Sequence, residues 1–110
     1  MAAGFVQGAG QTASGAVTSV SRAFVSNVTA GNAIIVAISV DSIADIISGV
    51  TDNLGNTYTR RIRIPSDSLV STYIYEALNI IGGACTVTVN LSSADYVAIG
   101  IAEASGLPTA

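Results

Sequence analysis

The sequence has no lysine, histidine or tryptophan, and only eleven of its 110 residues carry a charge, whereas half are hydrophobic. Soluble domains usually carry a charge on about a quarter of their residues. A folded monomer of this mass would expose roughly 5,600 Å² of surface, which leaves about one charge per 500 Å². Either neutral polar residues keep this surface hydrated or a partner covers much of it. The shortage of charge therefore points to assembly rather than to chemistry.

The same shortage removes most catalytic chemistry. Without histidine or lysine the chain lacks the usual general bases and activators of nucleophiles. Glu76 and Glu103 are the only glutamates, and both fall in strand-like segments among apolar neighbours. We expect a buried glutamate here to pair with an arginine, not to form the carboxylate pair of a glycosidase. The sequence predicts that the protein is not an enzyme and needs no cofactor.

Aspartates in predicted loops are the candidate metal ligands, and they are Asp41, Asp45, Asp52 and Asp67. The segment 52–56 (DNLGN) offers oxygens of the kind that Ca²⁺ prefers, but it lacks the spacing and the bidentate glutamate of an EF-hand. An aspartate at its start and a glycine at its fourth position favour an ordinary β-turn. We therefore predict no metal site, while two such loops of a sandwich could still approach each other.

The net charge is −3, and the only charge cluster is formed by Arg60, Arg61 and Arg63. The cluster is either the solvated face and end of one strand or a docking patch for acidic residues of a neighbouring subunit. It is too small to indicate a nucleic-acid partner. No apolar run approaches the ~18 residues of a membrane-spanning helix, so we predict no membrane span. No secretory signal peptide is visible, so we expect an intracellular chain or a mature or partial one.

Cys85 is the only cysteine, which excludes an intramolecular disulfide. It lies in phase with Val87 and Val89, so we expect a small buried thiol, with an inter-subunit disulfide as the alternative. Two triplets match the N-glycosylation sequon and begin at Asn27 and Asn90. Asn27 lies in a predicted loop and is the better candidate for a covalent glycan.

Period-two alternation of apolar and polar residues dominates the chain and is typical of half-buried strands. It predicts seven or so strands, at 16–26, 32–40, 46–51, 57–64, 69–78, 85–91 and 96–104. The segment 32–40 is apolar on both faces, so we expect a central strand that is covered on both sides. These features predict an all-β protein, a single β-sandwich of Ig-like or jelly-roll-like plan. Residues 1–15 form an N-terminal extension, and residues 16–110 form the sandwich.

Five ordered segments resemble a β-sandwich domain family of bacterial secreted and surface proteins. They are 30–38 (AGNAIIVAI), 50–58 (VTDNLGNTY), 73–83 (YIYEALNIIGG), 86–89 (TVTV) and 101–107 (IAEASGL). The resemblance runs from Phe5 to Leu107. It implies a β-sandwich fold and an extracellular or cell-surface location, and it implies no catalytic residue. Family members often continue into further strands, so the resemblance also implies an open sheet edge that another chain could pair with.

Together these features predict a structural subunit of an extracellular homopolymeric fibre. The partner is another copy of the chain, and a segment around residues 3–13 adds to the neighbour's sheet. The alternatives for this segment are the first strand of its own sandwich and a disordered tail. We expect subunit contacts at Phe5, Val6, Gln7, Arg60, Arg61 and Arg63, with Phe5 and Val6 filling apolar pockets. One alternative is a carbohydrate-binding or adhesin module that uses Tyr58, Tyr73, Tyr75 and Tyr96. A further alternative is a viral or tail-fibre structural domain.

Overall fold

The alternating apolar pattern corresponds to eight β-strands in the computed structural model, which describes residues 3–66 and 69–108. The strands are β1 (Gly4–Thr12), β2 (Val17–Ala23), β3 (Ala33–Val40), β4 (Ile47–Asp52), β5 (Thr59–Pro65), β6 (Ser71–Ala77), β7 (Thr86–Asp95) and β8 (Val97–Ser105). The described residues contain no helix, and hence none long and apolar enough to cross a membrane. The prediction of an all-β sandwich is confirmed, and the strand beyond the expected seven is β1.

Two antiparallel sheets face each other. The larger has the strand order β1-β8-β3-β6-β5 and the smaller has the order β2-β7-β4. The nested pairs β1·β8, β2·β7 and β3·β6 are those of a jelly roll, which is the second of the two predicted plans. The departure is β5, which pairs with β6 instead of β4. As a result, β1 and β5 are the two edges of the five-stranded sheet.

The core lies between the two sheets. It consists of the alternate residues of each strand whose side chains point inward. On the central strand β3, the side chains of Ile34, Val36 and Ile38 are at most 1% exposed. The expectation that this strand is covered on both sides is wrong, because Ala37 and Ser39 on its other face are exposed. Ala33, at the start of that face, is buried and Ile35 is half-buried, so the outer face is only partly covered.

The predicted turn between β4 and β5 is organised by Asp52. Its carboxylate accepts hydrogen bonds from the backbone N–H of Leu54 (2.8 Å), from the side-chain amide of Asn56 (2.9 Å) and from the hydroxyl of Tyr58 (2.7 Å). Gly55 follows with a φ of 83°, a conformation that favours glycine. Burial opposes ionisation of Asp52, but these hydrogen bonds keep its pKa below the usual range. The carboxylate therefore closes a turn with its own neighbours.

Candidate functional site

The strand β1 forms one edge of the five-stranded sheet and pairs with β8 of the same chain. Its partners run from Gly4 opposite Ser105 to Thr12 opposite Ala98, with eight residue pairs in all. Most of the segment predicted as a separate extension is therefore part of the sandwich in this single chain. Residues 13–16 connect β1 to β2, which lies in the other sheet.

A β-bulge in β1 decides which of its side chains enter the domain. The pairing shifts between Phe5 and Gln7, so Val6 is the extra residue of the bulge. Phe5 is 75% exposed and Val6 is 47% exposed. Neither side chain fills an apolar pocket of its own chain. That they fill pockets of a neighbouring subunit stays a prediction. Gln7 is the residue of this group that points into the domain.

The carboxylate of Glu103 on β8 is the buried polar centre of this edge. The side chain of Glu103 is fully buried. It accepts hydrogen bonds from Gln7 Nε2, from the backbone N–H of Thr29 and from Asn32 Nδ2, each at 2.8 Å. The expected arginine partner is wrong for Glu103, because this end of β8 faces the β2–β3 loop, which supplies N–H donors instead. It is confirmed for Glu76, which pairs with Arg61. Three donors satisfy a buried carboxylate without a counter-charge.

Both polar atoms of the Gln7 side-chain amide form hydrogen bonds. Besides donating to Glu103, its Nε2 donates to the carbonyl of Ser26 at 3.0 Å, and its Oε1 accepts from the N–H of Ser26 at 3.1 Å. We call the group Gln7, Ser26, Thr29, Asn32 and Glu103 the Gln7–Glu103 clamp. The clamp joins β1, the β2–β3 loop and β8 through a single side chain of β1.

The clamp sets the charge of Glu103. Burial alone would raise the pKa of Glu103, but the hydrogen bonds from Gln7, Thr29 and Asn32 outweigh it and lower that pKa. The carboxylate is therefore ionised at neutral pH, as a good acceptor for the Gln7 amide.

Apart from the clamp, few side chains of β1 contact the rest of the domain. Its other inward residues are Ala9 and Gln11, and Ala13 follows the strand. Gln11 accepts a long hydrogen bond from Arg22 at 3.5 Å. Since the apolar contribution comes from two alanines, the attachment of β1 depends mainly on the main-chain pairing and on Gln7.

At the opposite edge, a bulge between Arg60 and Ile62 turns Arg60 and Arg63 toward the interior of the sandwich. Arg60 binds both carboxylate oxygens of Asp45, at 2.6 and 2.9 Å, and its guanidinium carbon lies 5.0 Å from the ring centroid of Tyr73. The solvated-face interpretation is wrong for Arg60 and Arg63, which are half-buried among partners in their own chain. A role of these residues in subunit contacts stays a prediction.

The remaining arginine of this cluster faces outward. Arg61 lies on the outer face of the sheet, where it pairs with Glu76, and its side chain is 54% exposed. Glu103 points to the inner face of the same sheet. The two glutamates are thus on opposite faces and cannot act on one bond.

The four tyrosines do not form one surface. Tyr73 and Tyr75 are buried, and Tyr58 is half-buried and bound to Asp52. Tyr96 is 56% exposed. It lies beside Asp41 and Ser39 in a shallow hollow of about 280 Å³, where β3 ends and β8 begins. A stacking platform of several adjacent rings is therefore not present in the described part of the chain.

The other predicted residues are placed as follows. Cys85 is buried as expected, and burial together with nearby Asp52 raises its pKa to about 12.

The two glycosylation candidates differ in exposure: Asn27 is exposed in the β2–β3 loop, and Asn90 is half-buried in β7. Asp67 lies outside the described residues. Within residues 3–66 and 69–108, no three acidic, histidine or cysteine side chains come together as metal ligands.

The clamp as a unit is not predicted from the sequence. Gln7 is among the expected subunit contacts only because it follows Phe5 and Val6. The signal that the sequence offers is the spacing of Gln7, Ala9 and Gln11 in an otherwise glycine-rich strand, because alternate residues share a face. The partners in the β2–β3 loop carry no such pattern.

The fold is thus an eight-stranded β-sandwich with jelly-roll pairing, and its most distinctive feature is a weakly packed edge strand. No protein-family model, no curated protein and no solved structure matches the chain. The resemblance to bacterial surface domains stays a prediction.

Proposed function

We propose that the protein is a structural subunit of an extracellular homopolymeric fibre, in which β1 of one subunit occupies the β1 position of the next. The observation that carries this proposal is the way β1 is attached. An edge strand held by main-chain pairing and one polar clamp, with only alanines packed against the core, is suited to exchange between chains. Strand addition of this kind takes its affinity from main-chain hydrogen bonds.

Exchange would reproduce in a neighbour every contact that β1 makes in its own chain. Withdrawal of β1 leaves β8 paired with β3 on one side and unpaired on the other, and it leaves Glu103 without Gln7. The vacated position therefore favours refilling. Only the connection at 13–16 must open. A four-residue connection between two sheets is short, and short hinges favour swapping over closure.

The direction of exchange determines the assembly. If each subunit donates β1 to the next and accepts β1 from the previous one, the contact is head-to-tail and generates an open filament. The scarcity of charge supports this proposal, since surfaces covered by neighbouring subunits need little charge. A location outside the cell and glycans at Asn27 belong to the same proposal.

The second candidate is a carbohydrate-binding module, and one observation favours it. The exposed ring of Tyr96 lies in the same hollow as Asp41, Ser39 and Thr12. An exposed aromatic ring beside hydroxyl and carboxylate groups is suited to a sugar ring. Because the other three tyrosines are buried or half-buried, this candidate depends on a single ring.

Disulfide trapping tests the fibre proposal directly. Gly10 lies opposite Gly100, and a Cβ at Gly10 would have its nearest neighbour, the Ile99 carbonyl, at 3.5 Å, whereas one at Gly100 would meet nothing within 4 Å. Directly opposite residues in an antiparallel pair are ~4.5–5.5 Å apart at Cα, within the range that a disulfide spans. We therefore expect Gly10→Cys with Gly100→Cys, in a Cys85→Ala background, to form covalent ladders on oxidation of assembled material.

The matched control keeps Gly100→Cys and moves its partner to β3. Ala37 also lies opposite Gly100, on the strand that stays within the body of the subunit. Ala37→Cys with Gly100→Cys should give cross-linked monomers and no ladder. If the β1 pair also gives only cross-linked monomers in filaments seen by electron microscopy, β1 is not exchanged. If no filaments form under any condition, the fibre proposal fails as a whole.

A further inference from the structure

The outer face of the five-stranded sheet is uncharged over most of its area. One row of neighbours across the five strands is Gly10, Gly100, Ala37, Ile74 and Ile62. The adjacent row is Thr12, Ala98, Ser39, Thr72 and Ile64. The only charged side chains that the described strands place on this face are Arg61 and Glu76, and they pair with each other.

This face has a ridge and a trough. The ridge consists of Ile62, Ile64 and Ile74 on β5 and β6, where Ile62 is 45% exposed and Ile64 is 54% exposed. The trough is a shallow hollow of about 230 Å³ over small residues of β3 and β8, chiefly Ala37, Ser39, Ala98 and Gly100. Two strand spacings separate ridge and trough, which is roughly 10 Å.

We propose that this face packs against the same face of a second copy of the chain, with the ridge of each copy in the trough of the other. A twofold axis between ridge and trough, lying in the plane of the interface and parallel to the strands, exchanges the two features. Such a contact is isologous, because each copy contributes the same surface. Aligned packing of two sheets face to face is a common arrangement in β-proteins.

Charge favours a second copy over an unrelated partner. The face has no unpaired charged group in its strands, so a charged partner surface would lose hydration without compensation. The same face of a second copy is also neutral, and its trough and ridge are complementary to the ridge and trough of the first. The Arg61–Glu76 pair can stay hydrated at the rim.

The area determines how strong this contact is. Five strands spaced ~4.8 Å apart and about five residues long give a projected face of roughly 400 Å² per copy. Stable complexes bury about 800 Å² per partner, so free subunits should associate weakly. Subunits linked in a filament present many such faces at once, and multivalency then makes lateral association strong. Filament bundling thus rests on the proposed function, whereas the weak pairwise contact does not.

Charge substitution on the face tests the contact. Ala37→Asp places a carboxylate in the trough, and Ile62→Arg places a cation on the ridge. In sedimentation velocity over a concentration series, we expect the native chain to show weak dimerisation. Each variant alone should associate at least tenfold more weakly. Thr51→Asp, on the exposed face of the three-stranded sheet, is the matched control and should behave like the native chain.

Mixing the two variants provides the decisive measurement. In a mixed dimer, the cation introduced on the ridge of one copy faces the carboxylate introduced in the trough of the other, while the second ridge and trough are native. Association should therefore return toward the native level, which a misfolded variant could not produce. The proposal is overturned if the native chain is monomeric throughout, if Ala37→Asp associates normally, or if mixing restores nothing. None of these results depends on exchange of β1, which the cysteine ladders report separately.

Discussion

The two edges of the five-stranded sheet are built in opposite ways. Among its seven residues, β5 has three arginines and a terminal proline, and a bulge interrupts its pairing. Among its nine residues, β1 has no charge and no proline, and three of them are glycine. Charge, proline and bulges are the devices that keep a sheet edge from pairing with other chains. By this criterion β5 is protected and β1 is the more accessible edge, despite its own bulge.

The difference also appears in how each edge is attached. The strand β5 is tied to the body by Arg60 and Arg63, which reach Asp45 and the tyrosines of β6. The strand β1 is tied by the amide of Gln7. We infer that β5 is fixed to the body of the domain, whereas β1 is attached in a way that permits the exchange proposed above.

Removal of β1 should have the largest effect. Deletion of residues 1–13 removes eight residue pairs and the clamp donor, so we expect filaments to disappear and the unfolding midpoint to fall. A synthetic peptide of residues 3–13 should bind the shortened chain and restore its stability. The measurements are electron microscopy and thermal unfolding with and without peptide.

The same peptide with Gln7→Ala is the control for the clamp. A hydrogen bond to a charged group contributes about 1.5–3 kcal/mol, so this peptide should bind roughly tenfold more weakly or worse. Filaments that persist at the native level after the deletion would show that β1 is not the exchanged strand. If the shortened chain does not fold, the Gln7→Ala substitution in the full-length chain tests the contribution of the clamp, through filament formation and thermal unfolding.

A smaller effect is expected at the protected edge. Arg60→Ala removes the paired hydrogen bonds to Asp45 and the contact with the Tyr73 ring, so we expect a loss of about 2 kcal/mol in unfolding free energy. Arg61→Ala removes an exposed ion pair and should cost less than about 0.5 kcal/mol. Urea unfolding at neutral pH measures both, and equal losses would contradict the distinct roles of the two arginines.

Much of the fold could be predicted from the sequence, because the alternation of apolar residues reports directly on which face is buried. The position of β3, the first part of β7 and the turn at Asp52 follow from local pattern alone, whereas the extension of β7 through residues 92–95 does not. The role of β1 does not, since glycine and alanine give only a weak strand signal and its partner β8 lies at the other end of the chain.

The candidate site was only partly predictable for the same reason. Gln7 and Glu103 are 96 residues apart, and Thr29 contributes a backbone N–H that no side-chain pattern marks. The arginine cluster was visible, but the bulge that turns Arg60 and Arg63 inward depends on the pairing with β6. The orientation and partners of these side chains depend on the long-range register of the strands, which composition does not reveal.

The last effect concerns acid, and it distinguishes the contribution of the clamp from that of the rest of the molecule. The pKa of Glu103 is lower in the folded chain than in the unfolded chain. Its stabilising contribution is therefore complete above the unfolded pKa of about 4.3 and is lost as the pH falls through the folded pKa. Since Gln7 donates to the ionised form, the attachment of β1 should weaken in the same range.

Glu103→Gln isolates this contribution from the other carboxylates with lowered pKa values, Asp45 and Asp52. The native chain should be more stable than Glu103→Gln at pH 7, and the difference should shrink as the pH falls below about 4.3, the unfolded pKa of a glutamate. Urea unfolding at several pH values gives the difference, and peptide binding over the same range shows whether it acts on β1. A difference that stays constant with pH would mean that Glu103 stabilises the fold through its shape and not through its charge, and the clamp would then have no part in the release of β1.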